Sequence, residues 1–133
     1  MANFNANTKT VFEMTIEATA ALKKTGVAGN ASIVNVSSIT GLQSFAGVAS
    51  YCASKAAVDM YTQCAAVDFA PFGVRVNAVN PGVVRTNILT RNGMTDADYE
   101  AFLKKSAETT HPLGKALGRV RFDEFMFHLF VCF

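Results

Sequence analysis

The sequence predicts an α/β fold in which helices cover a parallel sheet on both faces. Two short β-branched segments, "ASIVNVSS" at residues 31–38 and "VRVNAVNPG" at residues 74–82, alternate with longer segments of helical character. Short, largely apolar strands that alternate with helices are typical of parallel sheets. The chain has 133 residues, 50% hydrophobic and 17% charged, which is enough for one globular domain.

Each helix has its own signals. Residues 10–24, "TVFEMTIEATAALKK", carry apolar side chains at helical spacing and two lysines in the last turn, where the helix dipole favours cations. The segment "TGVAGN" then separates this helix from the first strand. The Ala-rich residues 50–69 predict the second helix. A third is expected after Thr95, a residue suited to an N-cap, with Asp98 three positions on.

Composition and charge disfavour several classes of partner. The net charge is +2 and no basic cluster stands out, so we expect neither nucleic acid nor an anionic membrane as a partner. The apolar runs are shorter than a membrane span, and "MANFNANTKT" lacks the apolar core of a secretory signal. Cys52, Cys64 and Cys132 have no metal-ligand or redox spacing. We therefore expect reduced thiols, no bound metal and a cytoplasmic location.

The segment "SYCASK", residues 50–55, carries the first chemical signal. Tyr51 and Lys55 are four residues apart and so share one face of a helix. A free phenol, with a pKa of about 10, is a poor base at neutral pH, but a neighbouring ammonium lowers the pKa of a phenol. Ser38 ends the preceding strand and can hold a substrate oxygen in the same crevice. The pair alone is a weak signal, because such a tyrosine usually packs and such a lysine is usually solvated.

Taken in order, "IVNVSS", "YCASK" and "GVRVNAVNPGVVRT" resemble the short-chain dehydrogenase/reductase family, especially its 3-oxoacyl-carrier-protein-reductase-like and its sugar- or polyol-dehydrogenase-like members. The resemblance covers about residues 3–120. It implies the C-terminal part of a Rossmann-like, doubly wound parallel sheet, and reversible hydride transfer between NAD or NADP and a small carbonyl or alcohol substrate. It also implies a homo-oligomer for the full-length protein. The choice between NAD and NADP stays open, because no selector for the adenosine ribose is found.

The resemblance implies a role for each matching residue. Tyr51 is expected to be the catalytic acid/base, Lys55 to hydrogen-bond the nicotinamide ribose, and Ser38 to position the substrate oxygen. Asn7 in "FNANTKTVF" matches an asparagine that holds a water for proton relay, although capping of the first helix is an equally good use. A proline-glycine pair is also an ordinary turn. The matches to the family segment beside the nicotinamide are Pro81, Gly82, Val84 and Thr86.

The sequence departs from the family pattern at both ends. No Gly-rich turn for a cofactor pyrophosphate is found, since Gly26 and Gly29 follow a helix and not a strand. We divide the chain into a partial Rossmann-like domain, residues 1–120, and a divergent Phe-rich tail, residues 121–133.

Two hypotheses follow. In the first, the chain is part of an oxidoreductase and is inactive as an isolated fragment, because it binds the cofactor weakly. In the second, it is a non-catalytic fragment that associates with a longer subunit through the helix that carries Tyr51 and Lys55. An open apolar sheet edge would favour such association.

Overall fold

The two strands lie side by side and run in parallel, as the sequence predicts. The computed structural model describes residues 2–111. Strand β1, Ser32–Val36, pairs residue for residue with strand β2, Arg75–Val79. Because neighbouring parallel strands have their carboxyl ends on the same side of the sheet, the residues that follow them, Ser38 and Asn80, come close together.

Helices precede, join and follow the strands, and the predicted order is confirmed. Helix α1, Thr10–Thr25, follows a π-helical turn at Asn5–Lys9 and a short helical turn at Ala2–Phe4. Helix α2, Ala49–Phe69, connects the two strands. Short 3₁₀ turns at Ile39–Gly41 and Ala70–Phe72 flank α2, and neither was predicted.

The described residues fall into two compact units, residues 2–80 and residues 81–111. The second unit contains the short helix α3, Ile88–Arg91, and the longer helix α4, Asp96–Thr110. The Oγ1 atom of Thr95 accepts a hydrogen bond from the Asp98 N–H at 3.2 Å, so the predicted N-cap is confirmed. The unpredicted helix α3 is a single turn, too short to show a hydrophobic period in the sequence.

The core of the first unit lies between the sheet and α2. Its central residue, Val76 in β2, is only 1% exposed. The ring of Phe12 stacks on Tyr61 with a centroid distance of 4.0 Å and so joins α1 to α2. This packing fixes α2 against the strands and sets the position of its first turns. The buried residues of the core cluster are Ala31, Ala65, Phe69, Val74 and Val76.

Within residues 2–111 each strand pairs only with the other, so the outer edge of β1 is open, as is that of β2. On β1, the side chains of Val34 and Val36 are 39% and 52% exposed. A groove of about 390 Å³ lies between β1 and the apolar face of α1, which includes Val11 and Leu22. The first unit therefore presents an uncovered strand edge beside an apolar groove.

Two of the predictions concern membranes and the tail. Of the helices within residues 2–111, none is long and apolar enough to cross a membrane. The predicted Phe-rich tail, residues 121–133, lies outside the described residues, as do residues 112–120 of the predicted domain.

Candidate active site

Tyr51 and Lys55 lie on the first two turns of α2, and their side chains are close to each other. The Lys55 ammonium is 5.8 Å from the centroid of the Tyr51 ring. The same ammonium donates a hydrogen bond of 3.0 Å to the carbonyl oxygen of Val36, the last residue of β1. Both side chains are half-buried. The lysine is therefore anchored by the sheet in a position beside the phenol, as helical spacing of four residues predicts.

Burial changes the acidity of the lysine. Desolvation lowers the pKa of the Lys55 ammonium below its ordinary value of 10.5, and the negative charge of Asp59 counteracts part of this shift. Asp59 follows Lys55 by one helical turn. In this partly desolvated position the ammonium is screened from the Tyr51 ring less than it would be in bulk water.

Ser38 is buried at the start of the loop that follows β1. Its backbone is extended, and its Oγ accepts a hydrogen bond from the Thr40 N–H at 3.2 Å, which caps the 3₁₀ turn Ile39–Gly41. Its own O–H has no acceptor among residues 2–111. Since a hydroxyl can donate one bond while it accepts others, this O–H is available to a ligand oxygen.

Ser37 links the strand end to α2. Its Oγ donates a hydrogen bond of 3.1 Å to the carbonyl oxygen of Lys55, and its N–H donates to the carbonyl oxygen of Val79 at 2.8 Å. No role was assigned to Ser37 from the sequence. The structure gives it a positioning contact, because it ties the turn that carries Lys55 to both strands.

Asn7 lies in the π-helical turn before α1 and contacts α2. Its Nδ2 donates to the Oγ of Ser54 at 3.2 Å, and the neighbouring Thr8 donates through Oγ1 to the Ser54 carbonyl oxygen at 2.9 Å. Ser54 is fully buried and precedes Lys55. The interpretation of Asn7 as a helix cap is wrong, because the residue lies within a continuous helical path and makes no capping bond. Single π turns in helices are often found at functional sites.

The segment predicted to lie beside the nicotinamide belongs to the second unit. The N–H of Val83 donates to Nε2 of His111 at 3.2 Å, and the N–H of Thr86 donates to the Tyr99 hydroxyl at 2.8 Å. A Cβ at Gly82 would be 2.6 Å from Cε1 of His111, so a larger residue here would require the His111 ring to move. The other predicted members of this segment, Pro81 and Val84, are half-buried.

Sequence reasoning missed three residues that shape these segments: Asp59, Asn80 and His111. Asp59 had a readable signal, because it follows Lys55 by four residues on the same helix face. Asn80 directly precedes the predicted Pro81-Gly82 turn, so it lies at the carboxyl end of β2. His111 had none, because its contact with Val83 joins residues that are 28 positions apart.

Comparison with known proteins gives a consistent result. Residues 1–97 match the family model described as short chain dehydrogenase. Cyclopentanol dehydrogenase of Comamonas sp. is 47% identical over 83 residues, which are 62% of this chain and 32% of that protein. Carbonyl reductase (NADPH) 2 of Sus scrofa is 35% identical over 113 residues, 85% of this chain and 43% of that protein.

A solved structure agrees with these relatives. The structure of this chain is similar to that of a short-chain dehydrogenase/reductase of unknown function from Caenorhabditis elegans with cofactor, with a TM-score of 0.74 and 36% identity. That likeness covers 86% of this chain and 42% of the other. It confirms the α/β, Rossmann-like fold. The chain thus spans less than half the length of the relatives named here.

Proposed function

Because this chain belongs to the short-chain dehydrogenase family, we propose that its residues serve reversible hydride transfer between NAD or NADP and a small carbonyl or alcohol substrate. The family is one of oxidoreductases, and the two relatives are named for an alcohol and a carbonyl substrate. The observation that carries the proposal is the Lys55 ammonium, held by Val36 at 5.8 Å from the Tyr51 ring centroid.

Each residue of the first unit has one task in this proposal. In the direction of carbonyl reduction, the Tyr51 hydroxyl gives its proton to the substrate oxygen, and in the reverse direction it takes that proton back. The Ser38 O–H donates a hydrogen bond to the same oxygen and so holds the carbonyl in place. Asn7 holds a water that returns a proton to the site. When bound, the cofactor supplies or accepts the hydride.

The residues present fit the nicotinamide end of such a cofactor. An ammonium has three N–H donors, and Lys55 uses one of them on Val36, so two remain for ribose hydroxyls. Tyr51 is half-buried and therefore open to a ligand on one side. In the second unit, we assign contacts with the carboxamide end to Pro81, Gly82, Val84 and Thr86.

A binding experiment tests the cofactor assignment. The chain is titrated with NADPH, with NADH and with reduced nicotinamide mononucleotide, and NMR signals of Tyr51 and Lys55 are followed. Since no Gly-rich turn for the pyrophosphate is found in the sequence, we expect weak binding and similar affinities for all three. Signals of Tyr51 and Lys55 that stay unchanged at saturation would refute the assignment. If NADPH or NADH binds far more tightly than the mononucleotide, the proposal that the chain binds only the nicotinamide end of the cofactor is refuted.

A turnover experiment tests the acid/base role. Because we expect the isolated chain to be inactive, carbonyl reduction is measured in a full-length protein that contains this chain, with a panel of cyclic and acyclic ketones. Tyr51→Phe keeps the ring and removes the proton, so we expect the rate to fall about 10²- to 10⁴-fold. Tyr61→Phe is the matched control, because it changes another tyrosine of α2 and keeps the ring that stacks on Phe12. Equal rates for the two variants would refute the acid/base role of Tyr51.

The open sheet edge favours a second candidate, association with a longer subunit or with a second copy. Exposed strand edges readily pair with other chains, and both Val34 and Val36 are exposed beside the apolar groove. Sedimentation of the chain, alone and with a longer family member, is the test. We expect association that Val36→Lys weakens; a chain that stays monomeric in both experiments would exclude this candidate.

We also propose a cytoplasmic location. Cys52 and Cys64 are both free thiols, and Cys64 is exposed on α2. Reducing compartments keep such thiols reduced. Fractionation of the cells that express the chain, with labelling of the thiols, is the measurement.

A further inference from the structure

A polar bridge joins the ends of both strands to α2. Asn80, the first residue after β2, donates through Nδ2 to both carboxylate oxygens of Asp59, at 2.9 and 3.0 Å. The same nitrogen donates to the carbonyl oxygen of Ser38 at 3.0 Å. A carboxylate and a carbonyl can only accept, so the orientation of the Asn80 amide is fixed by its partners. The bond to the carboxylate is charge-assisted and therefore stronger than a bond between neutral groups.

The bridge lies next to the proposed catalytic residues. Asp59 follows Lys55 by four residues and Tyr51 by eight, so all three lie on one face of α2. Ser38 and Asn80 follow strands that are neighbours in the sheet. The Asn80 amide thus connects the helix face that carries the acid/base to the loop that carries the hydroxyl.

The loop after Ser38 holds Asp59 from a second side. A Cβ at Gly41 would be 2.1 Å from Oδ2 of Asp59 and 3.0 Å from the carbonyl carbon of Lys55. The 3₁₀ turn Ile39–Gly41 therefore lies directly on α2 between these two residues. As a result, the Asp59 carboxylate has little room to move away from Asn80.

From this geometry we infer that Asp59 and Asn80 are positioning residues, which hold the backbone of Ser38 in a fixed position relative to Tyr51 and Lys55. Neither reaches a reacting atom; they act through the Ser38 carbonyl, while the Thr40 N–H fixes the Ser38 hydroxyl. The inference rests on the proposed function for its catalytic consequence. Its structural part, the control of Ser38 by the bridge, can be tested without turnover.

Exchanging the side chains at positions 59 and 80 tests two bonds separately: the bond between these two positions and the bond from position 80 to the Ser38 carbonyl oxygen. Asn80→Asp places two carboxylates face to face and removes the donor to the Ser38 carbonyl. In the double variant Asp59→Asn/Asn80→Asp, the amide at position 59 donates to the carboxylate at position 80. The bond between α2 and β2 is then restored, but a carboxylate at position 80 has no proton to give to Ser38. The exchanged pair therefore repairs the bridge and leaves the Ser38 carbonyl without its partner.

Two measurements are made on each variant of the full chain. Urea unfolding reports stability, and NMR signals of Ser38 and of the Thr40 N–H report the position of the loop. We expect the exchanged pair to recover most of the stability lost in Asn80→Asp while the Ser38 and Thr40 signals stay displaced. Where ketone reduction is measurable, we expect kcat to fall about 10- to 100-fold with little change in KM, as for a misplaced catalytic group. Gln63→Glu, which adds one negative charge at an exposed position of α2, is the charge-matched control for Asn80→Asp.

The outcomes distinguish this inference from the proposed function. If the exchanged pair restores both stability and the Ser38 and Thr40 signals, the bridge is structural only and the inference is wrong. If Asn80→Asp does not fold, Asn80→Ala removes the same donor without adding charge, and unchanged Ser38 signals there overturn the inference. Absence of ketone reduction in a full-length protein that contains this chain counts against the proposed function alone, because the NMR measurement still decides whether the bridge positions Ser38.

Discussion

The two described units hold their site segments by different means. In the first unit, Lys55 and Ser37 bond to main-chain carbonyls of β1, β2 and α2, so their positions follow from the packing of regular elements. In the second unit, the segment from Gly82 to Thr86 is held by three side chains: His111, Tyr99, and Glu100, which pairs with Arg85. The first arrangement depends on the fold, whereas the second depends on individual residues. A substitution in the core should therefore disturb the first, and loss of a single polar group should disturb the second.

The largest expected effect comes from the core of the first unit. Val76→Ala removes buried methyl groups from a residue that is 1% exposed, so we expect a loss of about 2 kcal/mol in the free energy of unfolding. Val79 lies in the same strand as Val76 and accepts a hydrogen bond from the Ser37 N–H, so the Ser37 amide should also exchange faster with solvent in this variant. Urea unfolding and amide exchange are the measurements.

Val67→Ala is the control for this prediction, since Val67 is 74% exposed on α2 and should lose less than about 0.5 kcal/mol. Similar losses for Val76→Ala and Val67→Ala would mean that the sheet–helix core does not dominate the first unit.

A smaller effect is expected at the start of α4, in the second unit. Thr95→Ala removes the bond to the Asp98 N–H and should cost about 1 kcal/mol, the usual value for a lost cap. Tyr99 is one residue further on, and its hydroxyl accepts from the Thr86 N–H, so fraying of this turn should also expose the Thr86 amide. Amide exchange of Asp98, Tyr99 and Thr86 measures both effects.

The matched control is Thr109→Ala, near the other end of α4. Thr109 only bonds back to Lys105 within the helix, and its loss should leave the Thr86 amide protected. Equal exchange of the Thr86 amide in both variants would show that the cap does not support the segment from Gly82 to Thr86.

The difference between the units also explains how much of the site could be predicted from the sequence. The positions of Tyr51 and Lys55 follow from a helical spacing of four residues, and that of Ser38 from the end of a β-branched segment. These are local patterns on regular elements, so the structure reproduces them. The Thr95 cap was predicted for the same reason.

Two of the residues that were missed, Asn80 and His111, make contacts that no local pattern encodes. Asn80 meets Asp59 across 21 positions and Ser38 across 42, and these contacts depend on how the strands and α2 pack. The π-helical turn at Asn5–Lys9 also left no period in the sequence, so Asn7 could be taken for a cap. Its contact with Ser54 appears only when α1 and α2 are side by side.

The smallest effect is a change in pH dependence, and it tests the burial of Lys55 in the first unit. The pKa of Lys55 is lowered in the folded chain, so between that pKa and 10.5 the unfolded chain binds more protons than the folded chain. The free energy of unfolding should therefore gain a contribution that rises with pH across this window.

Comparison with Lys55→Met isolates that contribution, because the other titrating groups are common to both proteins. Urea unfolding from neutral pH to about pH 10.5 should show the unaltered chain gaining stability relative to Lys55→Met as the pH rises. Asp59 opposes the shift, so in Asp59→Asn the gain should begin at lower pH. Stability curves that stay parallel for the unaltered chain and Lys55→Met would mean that Lys55 is as solvated as a surface lysine. In that case its bond to Val36 would not hold it beside Tyr51, and the fold-based anchoring of the first unit would lose its main support.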